Sequence, residues 1–261
     1  MKYNIKTERL MEKNRQIQEV FNLIILDESG SMGAIEKQAV SGLNETLQTI
    51  SNAQREHAEQ QHFVSFVTFN TNGIRTVMDQ MQVNSDKALQ WTDYQPDACT
   101  PLYDAMGQSI NKLKNHVKDD DVVLVTIITD GMENASREYD GRAIKKLVSD
   151  MKERGWVFAY IGTNQDVDAV ADSMGIRSRM NYEYSQTGAE AMFDVECSRR
   201  KTFYSQLATE GREFMRKKDF DFFAEEKRDN EGVQLPRSDE QKTGEKPYGF
   251  LGKIKSWLEK D

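Results

Sequence analysis

FNLIILDESGSMG, residues 21–33, decides how this chain is read. Residues 21–26 form an unbroken apolar run that stops at Asp27. A strand with one wet face alternates apolar and polar side chains, whereas a run without alternation belongs to a strand buried on both faces, as in a helix-covered sheet. The loop Asp27-Glu28-Ser29-Gly30-Ser31 follows, and after it Ile35, Ala39, Leu43, Leu47 and Ile50 recur at helical spacing.

The same alternation continues outward. His62 to Phe69 reads as a second strand, Asn70-Thr71-Asn72-Gly73 as a hairpin turn, and Ile74 to Met78 as a short third strand. A helix is predicted over 102–117 and the most apolar strand over Val122 to Ile128, ending in Thr129-Asp130-Gly131. Helix 137–153, strand 156–161, a short helix from Val167 to Met174, an edge strand within 179–184 and a helix over 188–207 complete the pattern. Strands alternating with helices imply right-handed crossovers and a mainly parallel, helix-covered α/β sheet. Chemistry in such sheets collects beyond the carboxyl ends of the strands. Asp27 and Asp130 both stand there.

The 261 residues carry 35 Lys and Arg against 43 Asp and Glu, a net charge of −8. Residues 21–207 hold 18 basic and 27 acidic side chains, so the acidity belongs to the folded body. An acidic surplus repels phosphate backbones, and no nucleic acid is expected as a partner. Cys99 and Cys197 make no CxxC pair, which excludes a disulfide scaffold and favours a reducing compartment. The first 20 residues lack the apolar stretch of a secretory signal, and no run approaches the ~20 apolar residues of a membrane helix. The expectation is a cytoplasmic chain without stable membrane insertion.

Asp27, Ser29 and Ser31 place three oxygen-bearing side chains at alternate positions of a tight loop, where they can converge on one point. Carboxylate and hydroxyl oxygens suit Mg²⁺, or alternatively Mn²⁺ or Ca²⁺, rather than zinc. A second reading fits equally well from this loop alone: either serine caps the following helix. Two further segments bear on the choice, Cys99-Thr100-Pro101-Leu102-Tyr103-Asp104-Ala105 and Ile128-Thr129-Asp130-Gly131.

Together the three segments resemble the von Willebrand factor type A domain, in their order along the chain and in their strand–helix context. The similarity covers roughly residues 20–205. DESGSM, TPLYDA, ITDGMENAS and AYIGTNQDVDAVADSMGI look most like the bacterial and phage cytosolic branch, to which the type A domains associated with tellurium resistance are related. The resemblance implies a three-layer αβα, Rossmann-like fold whose mainly parallel central sheet has one antiparallel edge strand, matching the hairpin at 70–73, and a metal-ion-dependent adhesion site. In that site Ser29, Ser31 and Thr100 contact the metal through hydroxyls, and Asp27 and Asp130 coordinate it directly or through water. It also implies a non-enzymatic protein-binding module, in which a partner protein supplies an Asp or Glu to the metal. Ala98-Cys99 stands where glycines usually precede the threonine, and Glu28 lies inside the first motif; both departures bear on loop flexibility.

Other chemistries fit the residues poorly. A haloacid-dehalogenase-type phosphatase needs a carboxylate where Ser29 stands, Gly30-Ser31-Met32-Gly33 is one residue short of a G-x-S-x-G elbow, and neither nucleotide-binding glycine motif occurs. His57, His62 and His116 read as helix-surface or strand-edge residues, Asp166, Asp168 and Asp172 as a solvated helix start, and Arg199-Arg200-Lys201 as part of a solvated helix face. A Mg²⁺- or Mn²⁺-dependent hydrolase and a purely structural subunit remain the alternatives for the same cluster.

The chain divides into an N-terminal extension (1–20), the type A-like body (21–207), a charged helical extension (208–228), a flexible linker (229–247) and an amphipathic C-terminal segment (248–261). The linker is too poor in apolar side chains to offset its ordering entropy. The last segment places Phe250, Leu251, Ile254, Trp257 and Leu258 on one helical face. Two readings stand for it: it docks a partner groove or membrane surface, or it folds back on the body.

Overall fold

The computed structural model describes residues 17–83, 94–217 and 220–224, all within one compact unit. Nearly all of the expected N-terminal extension, the linker 229–247 and the segment 248–261 lie outside those residues. The elements are β1 (Gln18–Asp27), a 3-10 turn (Gly30–Ile35), α1 (Glu36–Glu56), β2 (Gln60–Asn70), β3 (Gly73–Gln82), α2 (Leu102–Lys114), β4 (Val122–Ile128), α3 (Gly141–Glu153), β5 (Val157–Gly162), α4 (Val167–Ser173), β6 (Ser178–Asn181) and α5 (Gln186–Glu210). A second 3-10 turn, Arg212–Arg216, follows α5.

The six strands form one sheet in the order β3-β2-β1-β4-β5-β6. Every pair is parallel except β2 with β3, whose hairpin makes the antiparallel edge. The order reverses at β1, which lies between β2 and β4. Loops leaving the carboxyl ends of β1 and β4 therefore diverge to opposite faces, and the crevice between them is where ligands settle in doubly wound sheets.

Period-two geometry divides the apolar residues of β1 between two cores. Val20, Ile24 and Leu26 face the layer of α1 and α5, while Phe21, Leu23 and Ile25 face that of α2, α3 and α4. Beyond α5 the chain tucks Phe214 and Phe222 under Phe203, whose ring stands 5.4 and 6.0 Å from theirs. The helix expected over 137–153 begins only at Gly141, because the Asp140 carboxylate accepts the Ala143 amide and caps it there.

α1 and α5 approach closely at Gly42. A Cβ on Gly42 would stand 2.1 Å from the Phe193 ring. Gly42→Ala is expected to cost about 1–3 kcal/mol by overpacking, despite alanine's better helix propensity; denaturant unfolding would show it, and a gain in stability would contradict this packing.

Two readings of polar residues are corrected by the fold. His62 is neither on a helix surface nor at a strand edge: β2 is flanked by β1 and β3, and the imidazole is fully buried against the Tyr204 ring. Arg200 belongs to no solvated face. It falls at helical spacing with Phe193, Cys197, Phe203, Tyr204 and Leu207 on the buried side of α5, and it is 0% exposed.

Burial, reinforced by the Arg200 charge, pushes the His62 imidazole down to about 3. An unfolded chain protonates that group near 6.5 and so binds more protons than the folded chain below that pH. Stability contributed by neutral His62 is complete above 6.5 and declines as pH falls, with a slope approaching ~1.4 kcal/mol per pH unit. His62→Phe should flatten this acid limb in urea unfolding between pH 7 and pH 4; equal slopes for the two proteins would refute the assignment.

Candidate metal centre

The carboxyl ends of β1 and β4 bring the first and third sequence segments together. Asp27, the last residue of β1, is fully buried. Its Oδ1 accepts the Ser29 amide at 2.8 Å and its Oδ2 accepts the Thr129 hydroxyl at 2.6 Å. Ser29 Oγ lies 3.3 Å from Ser31 Oγ, and the Ser31 hydroxyl donates to Asp130 Oδ1 at 2.8 Å. Neither serine caps a helix through its hydroxyl: the 3-10 turn and α1 both start without a side-chain cap. The capping reading therefore fails.

The second segment completes the cluster. Thr100 is 4% exposed and donates its amide to Asn134 Oδ1 at 2.9 Å. Its hydroxyl oxygen would stand 3.8 Å from a Cβ placed on Gly131, so Thr100 borders the residue that follows Asp130. Asp27, Ser29, Ser31, Thr100 and Asp130 are thus gathered from three loops. Ser31, Ala98 and Cys99 face solvent around them, as does Met132, which is 61% exposed.

The supporting shell is built from carboxylates that accept backbone amides. Asp104, in the first turn of α2, receives the amides of Arg137, Glu138 and Tyr139 at 2.8–2.9 Å. Glu133 receives those of Tyr103, Ala135 and Ser136 at 2.7–2.9 Å. The β4–α3 loop is thereby fastened to the amino end of α2, where negative charge is favoured by the helix dipole. Glu28 points away from the cluster: its Oε1 accepts Arg75 at 2.8 Å and the Gln95 amide at 2.6 Å, tying the first motif to β3 and to the segment before Thr100. Ala98 adopts φ 64°, a left-handed conformation that glycine takes without strain. Its departure from the usual glycine is thus accommodated in the backbone rather than at the donor atoms.

Several neighbours carried no signal in the sequence. In the sequence Thr129 is marked only by its place before Asp130, yet its hydroxyl holds Asp27. Tyr94 donates to the Asp27 carbonyl at 2.7 Å, and Tyr184 donates to the Ser31 carbonyl at 2.5 Å from 153 residues away. No local pattern announces such reach.

Both site carboxyls are held above their ordinary range. Burial pushes the Asp27 carboxyl up to about 6 against the lowering hydrogen bonds from Thr129 and Ser29, and the Asp130 charge adds to the rise. Burial also pushes Asp130 up, while hydrogen bonds from the Ser31 hydroxyl, its own backbone and the Tyr184 hydroxyl oppose the shift. Asp130 Oδ2 is buried with no hydrogen-bond partner. An unpaired carboxylate oxygen beside a second buried carboxylate is costly unless a positive charge joins them. The donor set of two carboxylates and three hydroxyls fits a hard divalent cation. Among the described residues no group of three or more His, Cys, Asp or Glu side chains could hold a metal ion, so the candidate centre depends on hydroxyls for three of its five donors.

No family profile matches the sequence, and no curated protein matches it. Solved structures do resemble the fold. The pilus adhesin SpaC of Lactobacillus rhamnosus GG is 14% identical with a TM-score of 0.52, over 72% of this chain and 30% of that one. The vWF domain of the type V pili tip protein Mfa5 of Porphyromonas gingivalis is 10% identical with a TM-score of 0.50, over 70% and 95%. The PilB minor pilin of Streptococcus sanguinis, as its D319A mutant, is 11% identical with a TM-score of 0.49, over 74% and 63%. This chain therefore spans less than two thirds of the pilin and of the adhesin. The sheet order, the single antiparallel pair and the Mfa5 likeness define a von Willebrand factor type A-like fold. Among the described residues no helix is long and apolar enough to cross a membrane.

Proposed function

We propose that this chain is a non-enzymatic protein-binding module of the cytoplasm that captures an acidic side chain of a partner through a divalent cation. The observation that carries the reading is the buried, unpartnered Asp130 Oδ2 within a cluster of Asp27, Ser29, Ser31 and Thr100 that opens to solvent at Ser31. Asp27 and Asp130 supply negative charge, and the three hydroxyls supply neutral donors. A Mg²⁺-type cation held there would retain positive charge and an accessible coordination position for a carboxylate oxygen. Asp27 is held by Thr129 and Ser29, Ser31 is held by Asp130, and Asp104 and Glu133 hold the β4–α3 loop, so the donors are organised before any partner arrives. The likeness to pilus adhesin and pilus tip domains supports an interaction role.

The test is capture of native-cell proteins by the full chain in Mg²⁺ and in excess EDTA, with wild type beside Thr100→Val. A partner retained only by wild type in Mg²⁺ is the expected result. Equal capture in EDTA, or undiminished capture by Thr100→Val, would overturn the metal bridge. Metal-dependent hydrolysis of phosphate esters by wild type would replace the module with an enzyme.

A further inference from the structure

At the opposite, amino-terminal end of the parallel strands lies a second feature, separated from the candidate metal centre by the strand length, roughly 20 Å. A cavity of about 110 Å³ opens where β5 and β6 begin, between the end of α3 and the 3-10 turn after α5. Trp156, Phe158 and Ile176 form its apolar wall, and Phe220 closes it, half-buried. Lys152, Arg177, Arg216 and Lys217 stand around it, all exposed, and no carboxylate is among its described lining residues. Four cations converging on one apolar cavity stand out on a chain of net charge −8.

We propose that this cavity binds an acidic peptide segment that inserts one apolar side chain between the four cations. The apolar wall decides against a small inorganic anion, which gains nothing from aromatic surface. A nucleic-acid backbone carries no aliphatic side chain to place against that wall, so the apolar lining rather than the net charge decides for a peptide. Apolar cavities of roughly 150 Å³ accept a ligand of benzene size, so about 110 Å³ suits one aliphatic side chain. Lys217 contacts Glu210 at 2.9 Å, Arg216 contacts Glu213 at 3.6 Å, Lys152 donates to the Gly175 carbonyl at 3.2 Å and Arg177 is also engaged within the chain, but exposed contacts of this kind are weak and exchange readily for a competing carboxylate. The site is independent of the metal centre. Together the two would let the module hold acidic segments at both ends of its sheet.

The experiment is fluorescence anisotropy of a labelled hexapeptide of aspartates and glutamates with a central leucine, titrated with the full chain in EDTA so that the metal centre cannot contribute. Saturable binding is expected, with the same affinity for Thr100→Val. The doubly substituted chain Arg216→Glu and Lys217→Glu should bind at least about tenfold more weakly, and so should wild type with a probe whose leucine is alanine, since burying one such side chain is worth about that factor or more. Both substitutions lie on exposed positions, and circular dichroism checks that the fold is kept. Trp156 emission, read in a chain with Trp91→Phe and Trp257→Phe, should shift on binding. No saturable binding, indifference to the leucine, or equal affinity for a single-stranded oligonucleotide or phosphatidylserine vesicles would each overturn the proposal.

Discussion

Arg200→Ala is expected to lower the unfolding free energy by about 3–5 kcal/mol, the usual consequence of removing one partner of a buried ion pair. The guanidinium is completely buried between α5 and the sheet. It donates to Glu196 Oε1 from Nε at 2.8 Å, to Asn22 Oδ1 at 3.0 Å, to the Tyr204 hydroxyl at 3.1 Å and to Thr126 Oγ1 at 2.8 Å. Glu196, 1% exposed, is also held by the Thr46 hydroxyl at 3.2 Å. One side chain thus joins β1, β4 and α5, and through Glu196 reaches α1. Alanine would leave the Glu196 carboxylate buried without its cation and take the charged donor from Thr126 Oγ1 and from Asn22 Oδ1, the latter keeping the Tyr204 hydroxyl at 2.5 Å. The double substitution Arg200→Met with Glu196→Leu should recover most of the loss, because apolar replacements of similar volume remove both desolvation penalties. Guanidinium unfolding of both variants measures this. A loss below about 1 kcal/mol for Arg200→Ala would mean the network does not hold α5.

The second large effect concerns the metal centre. At a hundredfold excess over its dissociation constant, Mg²⁺ or Mn²⁺ should stabilise the folded chain by about 2.7 kcal/mol. For a body of this size that corresponds to a rise in Tm of roughly 5–10 °C. Asp130→Asn should abolish the rise while leaving the metal-free protein at least as stable as metal-free wild type. The amide keeps an oxygen for the Ser31 hydroxyl and takes away a buried, partly unsatisfied charge. Asp27→Ala is a poorer probe: it also strips the Thr129 hydroxyl and Ser29 amide of their acceptor, and should destabilise the chain with or without metal. Scanning calorimetry in Mg²⁺ and in EDTA separates these cases. An unchanged Tm for wild type on adding either metal would remove the basis of the proposed function.

Much of the architecture was legible because the signals are local. The continuous apolar runs at 21–26 and 122–128 mark strands covered on both faces, and the three- and four-residue spacing from Ile35 to Ile50 marks the helix between β1 and β2. Boundaries were less legible. The helix expected from residue 137 starts at Gly141 because Asp140 caps it, and the amides of residues 135–139 are instead committed to Asp104 and Glu133. The five candidate donors could be singled out because they lie at or just beyond the carboxyl ends of β1 and β4 or just before α2.

By itself, then, the sequence determined the alternation of strands and helices, the parallel class of the sheet and the residues available at its carboxyl edge, since periodicity and loop position depend on near neighbours. Only the tertiary structure decided which charges leave water. Arg200 lies in a run of three basic residues and His62 opens an apolar strand, and nothing local separates them from solvated counterparts. Their burial follows from the packing of α5 over β1 and β4, and Thr129 meets Asp27 across 102 positions because β4 pairs with β1. Desolvation is set by what the fold lays over a side chain, and that is a property of distant segments meeting rather than of the residue and its neighbours in sequence.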